Sequence, residues 1–199
     1  MSRFKRKQSV RPYRKNIVFV TEGESSEKAY LQIVWNRLGL REYATPRFCH
    51  DKSSIPSLIK SALAAEASPM FKASQGDEIW IILDYDKESH FEAQFRELEA
   101  WESEKAYRHV VISSPRFEYW LLWHFQKQPN KEKSKSDDYV KQILPNFKSL
   151  PLYTTAITKE NVLNAAEKAC SGLVPSCTQP SITGSGMGRL VNRLLSLIP

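Results

Sequence analysis

Acidic residues recur in this chain where apolar runs stop. Glu22 and Glu24 follow Ile17–Val20, Asp84 and Asp86 follow Glu78–Leu83, and Glu118 sits inside Phe117-Glu118-Tyr119-Trp120-Leu121-Leu122-Trp123. Carboxylates brought close together repel one another unless a proton or a cation lies between them. Hard oxygen donors without His or Cys suit Mg²⁺, which takes few protein carboxylates and keeps waters and a phosphate as its other ligands. The chemistry such a set serves is metal-assisted phosphodiester chemistry. Each piece also has a plainer reading. Thr21-Glu22-Gly23-Glu24 fits a capping box with Thr21 as the N-cap and Glu24 reaching back. Asp84 and Asp86 share one side of an extended chain by alternation, as at many strand ends. Glu118 has Leu121 and Leu122 three and four residues on, so it faces an apolar surround. Burying it unpaired would cost several kcal/mol, comparable with the whole stability of a domain. It is therefore paired with a cation such as Arg116, protonated, or bound to metal.

These acids act together only if the fold brings them to one edge. The chain reads as alternating strand and helix: strands at Ile17–Val20, Thr45–Cys49, Glu78–Leu83 and Arg108–Ile112, with helices between them. The first helix, Ser26–Leu38, carries Tyr30, Leu31, Val34 and Leu38 on one face, and the second, Ile55–Ala67, carries Leu58, Ile59, Ala62 and Leu63. Phe91–Trp101 is an amphipathic helix, Ser113-Ser114-Pro115 a breaker, and Phe117–Phe125 a strongly apolar helix. A polar, Lys- and Ser-rich linker covers Gln126–Asp137. Helices are then expected at Asp138–Leu144, Lys159–Ala169 and Gly188–Ile198. The pattern predicts an α/β fold, a mostly parallel sheet flanked by helices on both faces with a C-terminal helical extension. Such sheets bind ligands at the carboxyl ends of their strands, which is where the acids fall.

Composition bounds the rest. At 199 residues, with 41% hydrophobic and 26% charged residues, the chain has the makings of one globular domain with a substantial core. We expect a basic arm over residues 1–15 and a single domain over 16–199, with a core to about residue 126 and a helical part from about 136. The longest apolar runs, Ile79–Leu83 and Tyr119–Trp123, have five residues each, against the ~20 of a membrane span. No secretory signal core follows the N-terminus, and the three cysteines lack metal-site spacing, so a reduced, cytoplasmic protein is expected. Arg3, Lys5, Arg6, Lys7, Arg11, Arg14 and Lys15 account for the whole net charge of +7. An arm of this kind suits a nucleic-acid backbone, from which each neutralised phosphate releases counterions; a solvated tail is the plainer reading. No G-x-x-x-x-G-K-[ST] sequence occurs, so ATPase activity would come from another chain.

Three stretches together resemble the RloB-like proteins. Asn16–Tyr30 is similar to the family's opening strand and E-G-x-x-[ST]-E-x-x-Y pattern, and Ile79–Asp86 to its strand ending in D-x-D. Ser113–Phe125 is similar to the S-N-P-x-F-E-x-W-L-L-x-H-F signature, with Ser114 where Asn is usual. The resemblance implies a Toprim-like fold in which Glu22, Asp84 and Asp86 organise Mg²⁺ (or Mn²⁺). It further implies that Glu27 is a second acid on the first helix and that Glu118 has a metal-shell or orienting role. RloB-like proteins are associated with bacterial anti-phage and abortive-infection loci, often beside an ATPase, which implies a nuclease effector.

On this reading Glu22 or Glu27 serves as general base, because a carboxylate beside other acids has a raised pKa. The arm, with Lys52 or Lys87, holds the backbone of DNA or RNA. No tyrosine stands out as a covalent nucleophile, which favours hydrolysis. His124, within the signature, either contacts the scissile phosphate or is a satisfied core histidine. Pro180–Gly188 either brings backbone N–H groups to a phosphate, with Ser181, Thr183 and Arg189 assisting, or is a Gly-rich connector. The alternative function is a non-catalytic nucleic-acid-binding or regulatory subunit of a defence complex.

Overall fold

The computed structural model describes residues 13–23, 26–50, 54–85, 92–125, 129–130, 132–133, 136–143, 156–171 and 174–199. β1 (Lys15–Thr21), β2 (Ala44–His50), β3 (Glu78–Asp84) and β4 (Arg108–Ser114) run parallel, and a two-residue β5 (Gly184–Ser185) pairs antiparallel with β4. The order across the sheet is β2-β1-β3-β4-β5. The chain winds outward from β1 to β2, then crosses back over β1 to β3 and onward to β4. Right-handed crossovers put their helices on opposite faces when the winding direction reverses. Accordingly α1 (Ser26–Arg37) lies on one face, and α2 (Ile55–Glu66) and α3 (Glu92–Glu104) on the other.

Strand alternation divides the core between these faces. Ile17, Phe19, Trp80, Ile82 and Val111 pack with α1, while Val18, Val20, Ile79, Ile81, Leu83, Val110 and Ile112 pack with α2 and α3. α4 (Phe117–Leu122), α5 (Asp137–Ile143), α6 (Lys159–Cys170) and α7 (Met187–Leu195) join the α1 layer. Burial on both faces explains why the strands read as continuous apolar runs. Among the described residues no helix is long and apolar enough to cross a membrane.

Several expectations are corrected. The arm was expected to reach residue 15, but Lys15 opens β1. Leu63 is 44% exposed and does not belong to the buried stripe of α2, which is Ile55, Leu58, Ile59 and Ala62. Thr21 ends β1 and donates its hydroxyl to the Gly23 carbonyl (2.8 Å), so it is not an N-cap. The helix expected over Phe117–Phe125 stops at Leu122, after which Trp123, His124 and Phe125 bond three residues back in a tighter turn. β5 is too short to leave a periodicity in sequence.

The glycine-rich stretch before α7 serves close packing. A Cβ on Gly188 would lie 3.0 Å from the Ala166 carbonyl oxygen and the Ala169 Cβ, and 3.1 Å from the Cys170 Sγ, so α7 rests against α6 through this residue. Gly188→Val is therefore expected to destabilise the protein by about 1–3 kcal/mol through overpacking. The urea midpoint measures this, and an unchanged midpoint would show that the two helices are not held this closely.

Candidate active site

The strand order reverses at β1, so the carboxyl ends of β1 and β3 form the switch point at which open α/β sheets take ligands. Glu22 leaves β1 there. Its backbone N–H donates to the Ile82 carbonyl (3.2 Å), and its carboxylate accepts from the Asp84 N–H (3.3 Å). Residues distant in sequence are thus joined by main-chain pairing at the sheet edge. Asp84, the last residue of β3, accepts a hydrogen bond from the Phe117 N–H at the start of α4.

Glu27, in the first turn of α1, is 7% exposed. Its carboxylate lies against Gly23: a Cβ there would sit 2.1 and 2.6 Å from the two oxygens. The glycine leaves the space that Glu27 occupies. Glu118 completes the group from α4, paired with Arg116 (Nε to Oε2, 3.5 Å). Sequence reasoning left Glu118 with three options, and the ion pair with Arg116 is the one seen.

The electrostatics show that these acids face one another. Burial pushes the Glu27 carboxyl up to about 6; its own backbone N–H opposes this, and the charges of Glu118 and Glu22 add to it. Burial holds Asp84 well above the usual carboxylate range, reinforced by the charges of Glu27, Glu118 and Glu22 and opposed by the Phe117 N–H. Four carboxylates from β1, α1, β3 and α4 therefore share one field.

Their donor type fits a hard divalent cation. Among the described residues, however, no group of three or more His, Cys, Asp and Glu is gathered closely enough to hold an ion. Asp86 lies outside the described residues. Glu22 and Asp84, with Asp86 as the third ligand expected from sequence, are the residues that would hold the metal.

Gly23→Ala tests the packing of Glu27 without removing an acid. It is expected to displace the Glu27 carboxylate and return its titration toward the ordinary carboxylate range, with the fold retained in circular dichroism. An unchanged Glu27 titration would show that Gly23 does not set the position of that carboxylate.

The other expected residues fall elsewhere. Arg3, Lys5, Arg6, Lys7, Arg11, Lys52 and Lys87 lie outside the described residues. Arg14 and Lys15 sit at the opposite edge of the sheet, separated from Glu22 by the length of β1, roughly 20 Å. His124 is 7% exposed; its Nδ1 meets the Trp120 carbonyl (3.2 Å) and its Nε2 meets the Tyr30 hydroxyl (3.0 Å). Because a carbonyl only accepts, Nδ1 carries the proton and Tyr30 donates to Nε2. Arg189 is committed to Glu102 (3.5 Å) and the Val110 carbonyl, away from the acids. Ser181 is exposed, whereas Thr183 directly precedes β5, whose Gly184 pairs with Ser114 at the acidic edge.

A mostly parallel, doubly wound sheet with carboxylates gathered at its strand reversal defines the class. The chain belongs to the RloB-like protein family, whose model matches residues 17–194. Comparison with curated proteins and with solved structures yields no match. Gly23 and the Phe117 N–H were not singled out from sequence. The E-G dipeptide was a usable signal for the first, but a backbone donor leaves none.

Proposed function

We propose that this protein is a Mg²⁺-dependent nuclease of Toprim type that hydrolyses phosphodiester bonds in DNA or RNA, acts in bacterial phage defence, and works with a partner ATPase. The observation that carries the reading is the gathering of Glu22, Glu27, Asp84 and Glu118 at the reversal point of the sheet, where burial and the neighbouring charges push the Glu27 and Asp84 carboxyls up. Nothing in a purely structural edge calls for four acids in one field, since each adds to the cost of ionising its neighbours. The defence role and the ATPase rest on family membership.

A bound divalent cation would neutralise the substrate phosphate and supply a water of lowered pKa. The chain's own residues divide the remaining work. Glu27, with a pKa of about 6, is largely ionised at pH 7 yet basic enough to take a proton from an attacking water. Gly23 and the backbone N–H of Glu27 fix where that carboxylate sits. Glu118 pairs with Arg116, a cation that would meet a phosphate oxygen of the substrate.

The absence, among the described residues, of three acids gathered closely enough for an ion favours one other reading, a non-catalytic nucleic-acid-binding module. Incubating the protein with labelled single- and double-stranded DNA and RNA, in Mg²⁺, Mn²⁺ or EDTA, separates the two. Metal-dependent cleavage lost in Asp84→Asn supports the nuclease. Binding without cleavage, unchanged by that substitution with and without a partner ATPase, supports the module.

A further inference from the structure

The outer flank of the sheet carries a second feature with a consistent chemistry. Edge strand β2 and helix α1 enclose a groove of about 610 Å³ whose lining includes Arg14, Arg41, Gln32, Asn36, Thr45 and Phe48. Its charged lining residues are both arginines; Glu42, the acid next to Arg41, is not among them. Arg14 gives one N–H to the Arg41 carbonyl (3.1 Å) and Arg41 gives one to Asn36 Oδ1 (2.9 Å). A guanidinium has five N–H groups, so both arginines retain donors. Further along, Lys28 reaches from α1 across to the Phe48 ring (5.9 Å).

Lys28, Gln32 and Asn36 are exposed and spaced four residues apart, which sets them in one line along α1. The helix runs back against β1, so this line starts beside Glu27 at the acidic edge and ends at Arg41. α1 spans roughly 18 Å, close to the separation between the root of the basic arm and the carboxylates. Cations and amide donors therefore connect the two parts of the molecule that the proposed function requires.

We infer that this groove is a track for a single nucleic-acid strand, carrying its phosphates from Arg14 and Arg41 past Gln32 and Lys28 to Glu22 and Asp84. The inference rests on the phosphodiester reading and adds the form of the substrate. A groove of this volume, bounded by one helix and one strand, matches an extended single chain. Trp35, on its floor, is 2% exposed and Phe48 is half-buried with Lys28 over its ring, so the groove offers a base at most one partly open aromatic face. The track holds the backbone and is indifferent to sequence. A second copy docking through β2 would bring like arginines together.

The test measures anisotropy of labelled oligothymidylate and oligouridylate, long enough to span both edges, in EDTA across a salt series. A duplex and polyglutamate serve as comparators. The Arg14→Gln/Arg41→Gln double variant is expected to bind about tenfold more weakly at moderate salt and to lower the log–log salt slope by about 1.4, near 0.7 for each lost phosphate contact. Gln32→Glu, which breaks no bond described in the groove, is expected to weaken binding as well. Unchanged affinity and slope in both variants would overturn the inference, as would tighter binding of the duplex, or polyglutamate displacing the oligonucleotide. Binding is read without cleavage, so variants that cut normally with unaltered binding would remove the track and leave the nuclease standing. A reduced slope in a protein that never cuts would do the reverse.

Discussion

Asp84→Asn should lower divalent-dependent cleavage by on the order of 10²–10³-fold and, in the absence of metal, make the protein more stable. The two effects have one cause. Asp84 is held well above the usual carboxylate range, by burial first and then by Glu27, Glu118 and Glu22. A carboxyl whose folded pKa lies above its unfolded value costs stability wherever the unfolded chain is ionised, which includes neutral pH. Asparagine keeps the shape and an acceptor oxygen for the Phe117 N–H while removing the charge. Glu27 sets the scale: a rise from 4.5 to about 6 corresponds to about 2 kcal/mol, which Glu27→Gln should return. In EDTA at pH 8 the urea midpoints of both variants should therefore exceed that of the wild type. Mg²⁺ should raise the melting temperature of the wild type and leave Asp84→Asn unmoved. A variant less stable than wild type in EDTA, or one that still responds fully to Mg²⁺, would mean that the acids are not poised for a cation.

The placement of Glu22 and Asp84 at one edge of the sheet was legible in the sequence, and the reason is physical. A buried parallel strand must be apolar throughout, so Glu78–Leu83 and Ile17–Val20 marked themselves, and the first acid after each had to fall at the carboxyl edge. Which strands are neighbours was not legible, because order depends on crossovers and not on local pattern. The contact between Glu22 and the Asp84 N–H, which joins the two halves of the site, follows from that order. The groove beside β2 was missed for a related reason. Lys28, Gln32 and Asn36 read as the ordinary solvent face of an amphipathic helix until β2 is seen to be an edge strand with nothing beyond it among the described residues. The basic arm was read correctly in charge but without position: pairing of Lys15 with Ala44 puts its root at the far edge from the acids.

His124 illustrates the opposite case, a residue inside the family signature that the fold uses for packing, and it sets up an acid-dependence with a defined sign. Burial lowers its pKa from 6.5 to about 4, so the folded protein holds the neutral ring. The associated stability is fully present above pH 6.5 and is lost as pH falls toward 4, in total about 3 kcal/mol. Glu27 works against it, because protonation between pH 6 and 4.5 relieves about 2 kcal/mol of penalty at the acidic edge. Asp84, also held above the usual carboxylate range, acts in the same direction, so the wild type should lose little stability from pH 6.5 to 4.5 and Glu27→Gln should fare worse than the wild type through the same window. Replacing His124 alone by Phe would strand the buried Tyr30 hydroxyl, at a cost of about 1–3 kcal/mol. Tyr30→Phe/His124→Phe removes both partners, and the Trp120 carbonyl still accepts from the Trp123 N–H (3.1 Å). This double variant should fold with near wild-type stability at pH 7, cleave at the wild-type rate, and gain stability on acidification from pH 6 to 4.5 because the contributions of the buried acids Glu27 and Asp84 remain without that of His124. Urea midpoints from pH 4 to 8 read the difference directly. A double variant that still weakens on acidification would place the titrating group elsewhere, and one that folds but no longer cleaves would return His124 to the substrate.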